Sequence, residues 1–118
     1  MTRLLNSFKF AFRGLRVAVK GQLNLRIHLV VSVFVMLVAY LLRIQTIEWL
    51  MLLICIALVV SLELVNSAIE GLVDLVSPER RQLAGKIKDM AAAAVLVAAV
   101  IASLVGVVIF GPYLLSYV

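Results

Sequence analysis

The stretch that decides the fold is residues 47–76, IEWLMLLICIALVVSLELVNSAIEGLVDLV. Its first part, through Leu62, carries one charge, Glu48, and with its flanks is long enough for a membrane span, which takes about 20 mostly apolar residues. Its second part stays apolar but is studded with Glu63, Asn66, Glu70 and Asp74. At about 100° per residue these four side chains fall on one narrow stripe of a helix. A charged group in a membrane helix costs roughly 2.5–3.5 kcal/mol on insertion. A single Asn or Ser would join two helices with far less desolvation. The stripe therefore points to a polar site at the bilayer boundary. Carboxylates there suit either a hard divalent cation or general-base work on a hydroxyl. Gly71, inside the stripe, reads equally as a point of close helix approach or as a weak point of the helix.

The composition agrees with a membrane setting. Of 118 residues, 65% are hydrophobic and only 14% charged, and the mean hydropathy is +1.20. Soluble domains run near 45–50% apolar and about 25% charged, so a soluble fold is excluded. Disorder is excluded by the same comparison, because disordered chains are polar. The length fits one domain over residues 1–118.

Working outward from the stripe, the hydropathy pattern predicts an all-α, polytopic protein with three membrane helices, over 27–43, 47–70 and 90–110. Gly111-Pro112 is expected to weaken or end the last of them. Tyr40, Trp49, Tyr113 and Tyr117 stand where interfacial aromatics gather. Upstream, Leu4, Phe8, Phe12, Leu15 and Val19 share one helical face, with Lys9, Arg13, Arg16 and Lys20 on the adjoining one. This predicts an amphipathic helix over 4–25 lying in the membrane interface, its cations facing anionic head groups. Its direct link to membrane spans argues against nucleic-acid binding, and six basic residues before the first apolar run argue against a cleavable signal peptide. The positive-inside rule puts the N-terminus and the Asp74–Asp89 loop in the cytoplasm and the C-terminus outside.

A second constellation is Gly85-Lys86-Ile87-Lys88-Asp89, where the third span emerges from that loop. A lysine at such a point can reach a phosphate, and helix N-termini favour anions. It is not a Walker A loop, since it lacks the first glycine and the Lys-Ser/Thr pair. Ala91–Ala94 read as a surface for close helix packing. His28 reads as an interface residue and Cys55, the single cysteine, as a small buried apolar one. An oligomeric pore or scaffold would carry polar stripes through the full depth of several spans. Here the third span has only Ser103 at its middle.

ELVNSAIEGLVDLV followed by GKIKDMAAAAVLVA, with FKFAFRGLRVA near the N-terminus and NLRIHLVV at the first span, resembles the small prokaryotic diacylglycerol kinase family, which includes undecaprenol kinases. The resemblance covers nearly the whole chain. It implies a homotrimeric kinase of the bacterial cytoplasmic membrane, with active sites shared between subunits and open to both cytoplasm and bilayer. The reaction implied is transfer of the γ-phosphoryl group of ATP-Mg to a lipid hydroxyl.

By the same resemblance Glu63 is the catalytic base and Glu70 the carboxylate that holds Mg²⁺ against the phosphates. Asn66 and Asp74 belong to the same active site. Lys88 contacts phosphate and Asp89 lies near the sugar. Arg3, Phe10, Glu79, Arg80 and Arg81 complete the nucleotide site. Gln22 stands where the family often has a second metal-binding Glu, so it offers an oxygen without charge. Arg80, Arg81 and Gln82 replace the Tyr-His pair that enterobacterial members carry in the adenine loop. Diacylglycerol is the favoured acceptor and undecaprenol the alternative; an inactive homologue or a non-catalytic membrane scaffold is the more distant one.

Overall fold

Long apolar runs with few breakers fold here as helices and nothing else. The computed structural model describes residues 1–118 and contains α1 (Thr2–Gly21), α2 (Leu23–Leu42), α3 (Thr46–Val76) and α4 (Gln82–Leu115). The last three are long and apolar enough to cross a membrane. α3 is the hub: it packs most extensively on α4, then on α2, and touches α1.

The connections follow from local chemistry. Gln22 is extended (φ −121°, ψ 109°) and serves both as C-cap of α1 and N-cap of α2, its N–H donating to the Ala18 carbonyl. The surface helix expected over 4–25 therefore stops at Gly21, and residues 23–26 belong to the first span. Glycine in a helix interior is about 0.5–1 kcal/mol poorer than alanine, which makes Gly21 a natural end. α2 ends on Arg43 in the left-handed region (φ 54°). The N–H groups of Arg43 and Ile44 return to the Tyr40 and Ala39 carbonyls, and Ile44 buries itself beside Ala39. This is a Schellman closure with a non-glycine residue at its left-handed position. α3 begins with a capping box between Gln45 and Glu48.

Two spans run past their expected bounds. The second span was expected to end at 70, yet α3 continues to Val76. Pro78 then biases Ser77 away from helical backbone and the helix stops there. The third span was expected over 90–110, but α4 runs from Gln82 through Pro112 to Leu115. The connection is therefore only residues 77–81, much shorter than the expected Asp74–Asp89 loop. Pro112 is tolerated because it lies in the last turn and a half, where few i→i−4 bonds depend on it, and membrane helices accommodate proline.

The packed core is small. Ala39, Ile44, Leu52 and Ile109 form a cluster at the α2–α3 turn, with Trp49, Phe110 and Tyr113 packed on it. Close by, the Tyr113 hydroxyl donates to Glu48 Oε1. The accessible area is 9065 Å², against about 6,300 Å² for a compact soluble protein of this mass. The radius of gyration is 17.5 Å, against about 13.5 Å for such a protein. The molecule is a plate of 54 × 43 × 21 Å whose apolar faces are left to lipid or to other chains.

Helix lengths locate the polar stripe. At 1.5 Å per residue α2 is about 30 Å long, which equals the hydrocarbon thickness of a bilayer. α3 and α4 reach about 46 and 51 Å, so both overshoot. Counted from the α2–α3 turn, the overshoot begins near Asn66. The later turns of α3 and the first turns of α4 thus form a paired extension beyond the apolar layer.

Candidate active site

α3 brings Glu63 and Asn66 to its packed face one turn apart, at spacing i,i+3. Both are buried, 3% and 6% exposed, although both are polar. Ser67 does not compete for them, because its hydroxyl donates to the Glu63 backbone carbonyl at 2.9 Å. Asn66 Oδ1 is buried without a hydrogen-bond partner. The Glu63 carboxylate has one nitrogen-bearing basic side chain within 4.0 Å, His28 of α2, whose Nε2 lies 3.9 Å from Oε2. Glu70, two turns further along α3, is half-buried, and Asp74 beyond it is exposed. The stripe thus grades from dry to wet along one helix face.

α4 meets the wet end. Lys88 Nζ pairs with Asp74 Oδ1 across the α3–α4 extension. Lys88 was expected to contact phosphate; the structure shows it paired with Asp74. Asp89 is exposed on the same turn of α4. Glu79 and Arg81 form an exposed pair at 3.9 Å in the 77–81 connection, with Arg80 exposed between them. Gln22 is half-buried at the α1–α2 break and lines a groove of about 500 Å³ between α1 and the Leu64–Ala68 turn of α3.

Arg3 and Phe10 are not drawn into this cluster by any side-chain bond to it. Arg3 is exposed in the first turn of α1, about 28 Å along the helix from Gln22. Phe10 is exposed and carries the Arg13 guanidinium 5.4 Å from its ring centre. No three His, Cys, Asp or Glu side chains converge as a metal cluster.

Two residues read otherwise from sequence belong to the site. His28 is beside Glu63 rather than only at an interface. A histidine inside an apolar run requires a partner, and that is the signal that could have found it. Cys55 is half-buried, lining a cleft of about 390 Å³ between α2, α3 and α4 rather than lost in a core. The cleft is walled by apolar side chains such as Val31, Val35, Leu52 and Ile56 and reaches His28 at one end. Ser103 borders it, its hydroxyl donated to the Ala99 carbonyl. The arrangement combines a buried carboxylate, an apolar cleft among the three long helices, and a charged pair between α3 and α4.

The sequence matches the family described as prokaryotic diacylglycerol kinase over residues 9–110. It is 37% identical to the undecaprenol kinase of Bacillus subtilis over 114 residues, 97% of this chain and 93% of that protein. It is 43% identical to the diacylglycerol kinase of Synechocystis over 114 residues, 96% of this chain but 65% of that longer protein. With the diacylglycerol kinase of Escherichia coli it shares 34% over 101 residues, 86% of this chain and 83% of that one. Matched at these levels along nearly its whole length, the chain belongs to the prokaryotic diacylglycerol kinase family and is a membrane lipid kinase.

Proposed function

We propose that this kinase transfers the γ-phosphoryl group of ATP to the hydroxyl of diacylglycerol, giving phosphatidic acid, at the cytoplasmic face of the bacterial inner membrane. The observation that carries the reading is the buried Glu63 carboxylate at the apolar boundary, with a membrane-deep cleft on one side and the Asp74–Lys88 pair on the other. A lipid hydroxyl reaches such a carboxylate from the bilayer, and a nucleotide reaches it from water.

In this mechanism Glu63 accepts the hydroxyl proton as the lipid oxygen attacks the γ-phosphorus. The bond to the bridging oxygen breaks and ADP leaves. Asn66 Oδ1 accepts a hydrogen bond from the incoming substrate, which gives that buried oxygen its partner. Lys88 exchanges Asp74 for phosphate, and Asp89 with Glu79, Arg80 and Arg81 borders the nucleoside. Phosphoryl transfer asks mainly for positioning and charge neutralisation, which these groups supply.

Mg²⁺ is commonly held by one or two carboxylates plus substrate phosphates. Half-buried Glu70 is the carboxylate that would hold such a metal, and Gln22 would offer a neutral oxygen. When bound, the metal would neutralise charge on the phosphates. α1 lies as an amphipathic helix in the interface, and the enzyme is a homotrimer. A neighbouring copy then brings the Arg3 and Phe10 end of its α1 to the site.

Undecaprenol is the second reading of the acceptor. It is favoured by the similarity to the Bacillus subtilis undecaprenol kinase over 93% of that protein. Purified protein in mixed micelles, given labelled ATP, Mg²⁺ and each lipid in turn, tests both. Label in diacylglycerol supports the first reading, label in undecaprenol alone the second, and label in neither overturns the proposal. Glu63→Gln is expected to reduce turnover about 10²–10⁴-fold while the oligomer stays intact. Full activity in that variant would remove Glu63 as the base.

A further inference from the structure

His28 is the chain's single histidine. We infer that His28 is a positioning residue for Glu63, donating from Nε2 to the carboxylate and so fixing which way it faces. The inference deepens the proposed role of Glu63 as base and rests on that reading.

The geometry carries it. Glu63 is almost sealed, its side chain 4% exposed, whereas that of His28 is 28% exposed. No Lys or Arg lies within 4.0 Å of the carboxylate, and His28 alone does, at 3.9 Å. A closure of about 1 Å makes this a hydrogen bond of ordinary length. The elements around Glu63 offer no substitute. α4 carries no charge after Asp89. α1 meets α3 there through uncharged residues, including Ala18, Gly21 and Gln22. On α3 the neighbours are neutral Asn66 and the like-charged Glu70, and on α2 Arg26 makes no ion pair within 4.0 Å. An unpaired carboxylate at this depth can rotate toward water, and hydrogen bonding from a fixed donor opposes that.

The His28 backbone carbonyl accepts from Ser32 Oγ at 2.6 Å, and His28 is one of the residues lining the apolar cleft. A lipid hydroxyl arriving along that cleft would meet the imidazole first, with the carboxylate 3.9 Å behind it. The imidazole orients the base, and the base takes the proton.

The test has two arms. In the first, the one imidazole is labelled with ¹⁵N and read by NMR in wild type, Glu63→Gln and Glu70→Gln. The Nε2 resonance is expected to move in Glu63→Gln and to stay in Glu70→Gln. No response to Glu63→Gln, or an equal response to both, overturns the pairing, whether or not the protein is active. In the second arm, His28→Ala is expected to lose about 10–100-fold in kcat, the usual scale for a misplaced catalytic group, with the KM for ATP unchanged. His28→Gln, which keeps an N–H donor, is expected to recover most of that loss. An unchanged kcat in His28→Ala, a loss confined to the KM for ATP, or a loss that His28→Gln does not repair each overturns the role. If His28→Ala does not fold, His28→Gln near wild-type kcat together with the NMR response to Glu63→Gln supports the role, and failure of either overturns it. A wild-type protein that phosphorylates neither lipid refutes the kinase reading instead, and the first arm still decides the pair.

Discussion

Asn66 buries an amide oxygen that finds no partner within the chain, and an unsatisfied buried polar atom costs about 1–3 kcal/mol. Residues that bind substrate are where such a cost is tolerated. Asn66→Leu is therefore expected to stabilise the protein in detergent by about 1 kcal/mol, read as a higher unfolding temperature, and to cut lipid phosphorylation at least tenfold. A variant that is less stable, or as active as wild type, would show that Asn66 is structural. Glu63, Asn66, Glu70 and Asp74 were legible in the sequence because acids in an apolar run have no cheap explanation. His28 was not read as a partner of Glu63, since their meeting is a property of how α2 folds back on α3 and has no local spacing. Lys88 was legible as a cation where the last span begins, but its pairing with Asp74 depends on two helices converging.

At the scale of the element, the existence of the three spans was plain from hydropathy and their ends were not. Hydropathy reports where lipid begins, whereas a helix ends where its backbone hydrogen bonds end. α3 and α4 therefore continue as helix through their polar segments, held together by Asp74 and Lys88, until Ser77-Pro78 breaks the run. Arg43 offers a direct check on what shapes these connections. It holds a left-handed conformation that costs a non-glycine residue about 1–2 kcal/mol. Arg43→Gly is expected to raise stability by about 0.5–1 kcal/mol, visible as an increased unfolding temperature in detergent, with turnover unchanged because the turn is at the opposite end of α3 from the stripe. A loss of stability would mean that the arginine side chain contributes more than its backbone strain removes.

For the whole molecule, the flat shape leaves broad apolar faces to lipid or to other chains. With the proposed orientation, a Cys55→Ala protein carrying Ser77→Cys is expected to react with impermeant maleimide only from the cytoplasmic side. The same protein carrying Gln45→Cys is expected to react only from outside, and native mass spectrometry is expected to give three copies. The reversed labelling pattern would overturn the orientation. The α2–α3 turn also sets a length. Glu63 lies about 26 Å along α3 from Thr46, slightly less than the roughly 30 Å of a bilayer's hydrocarbon layer. With the proposed orientation and base, α3 would work as a ruler anchored at the outer face, with its reactive mark just inside the inner one. A thick membrane sinks that mark away from the water-borne nucleotide, and a thin one lifts it out of reach of a lipid hydroxyl. Turnover in nanodiscs of graded acyl length is expected to peak at one thickness and fall on both sides, while a flat profile would refute the ruler. A peaked profile would mean an enzyme tuned to the thickness of its own solvent, in which a change in membrane composition alters phosphorylation without any ligand binding to the protein.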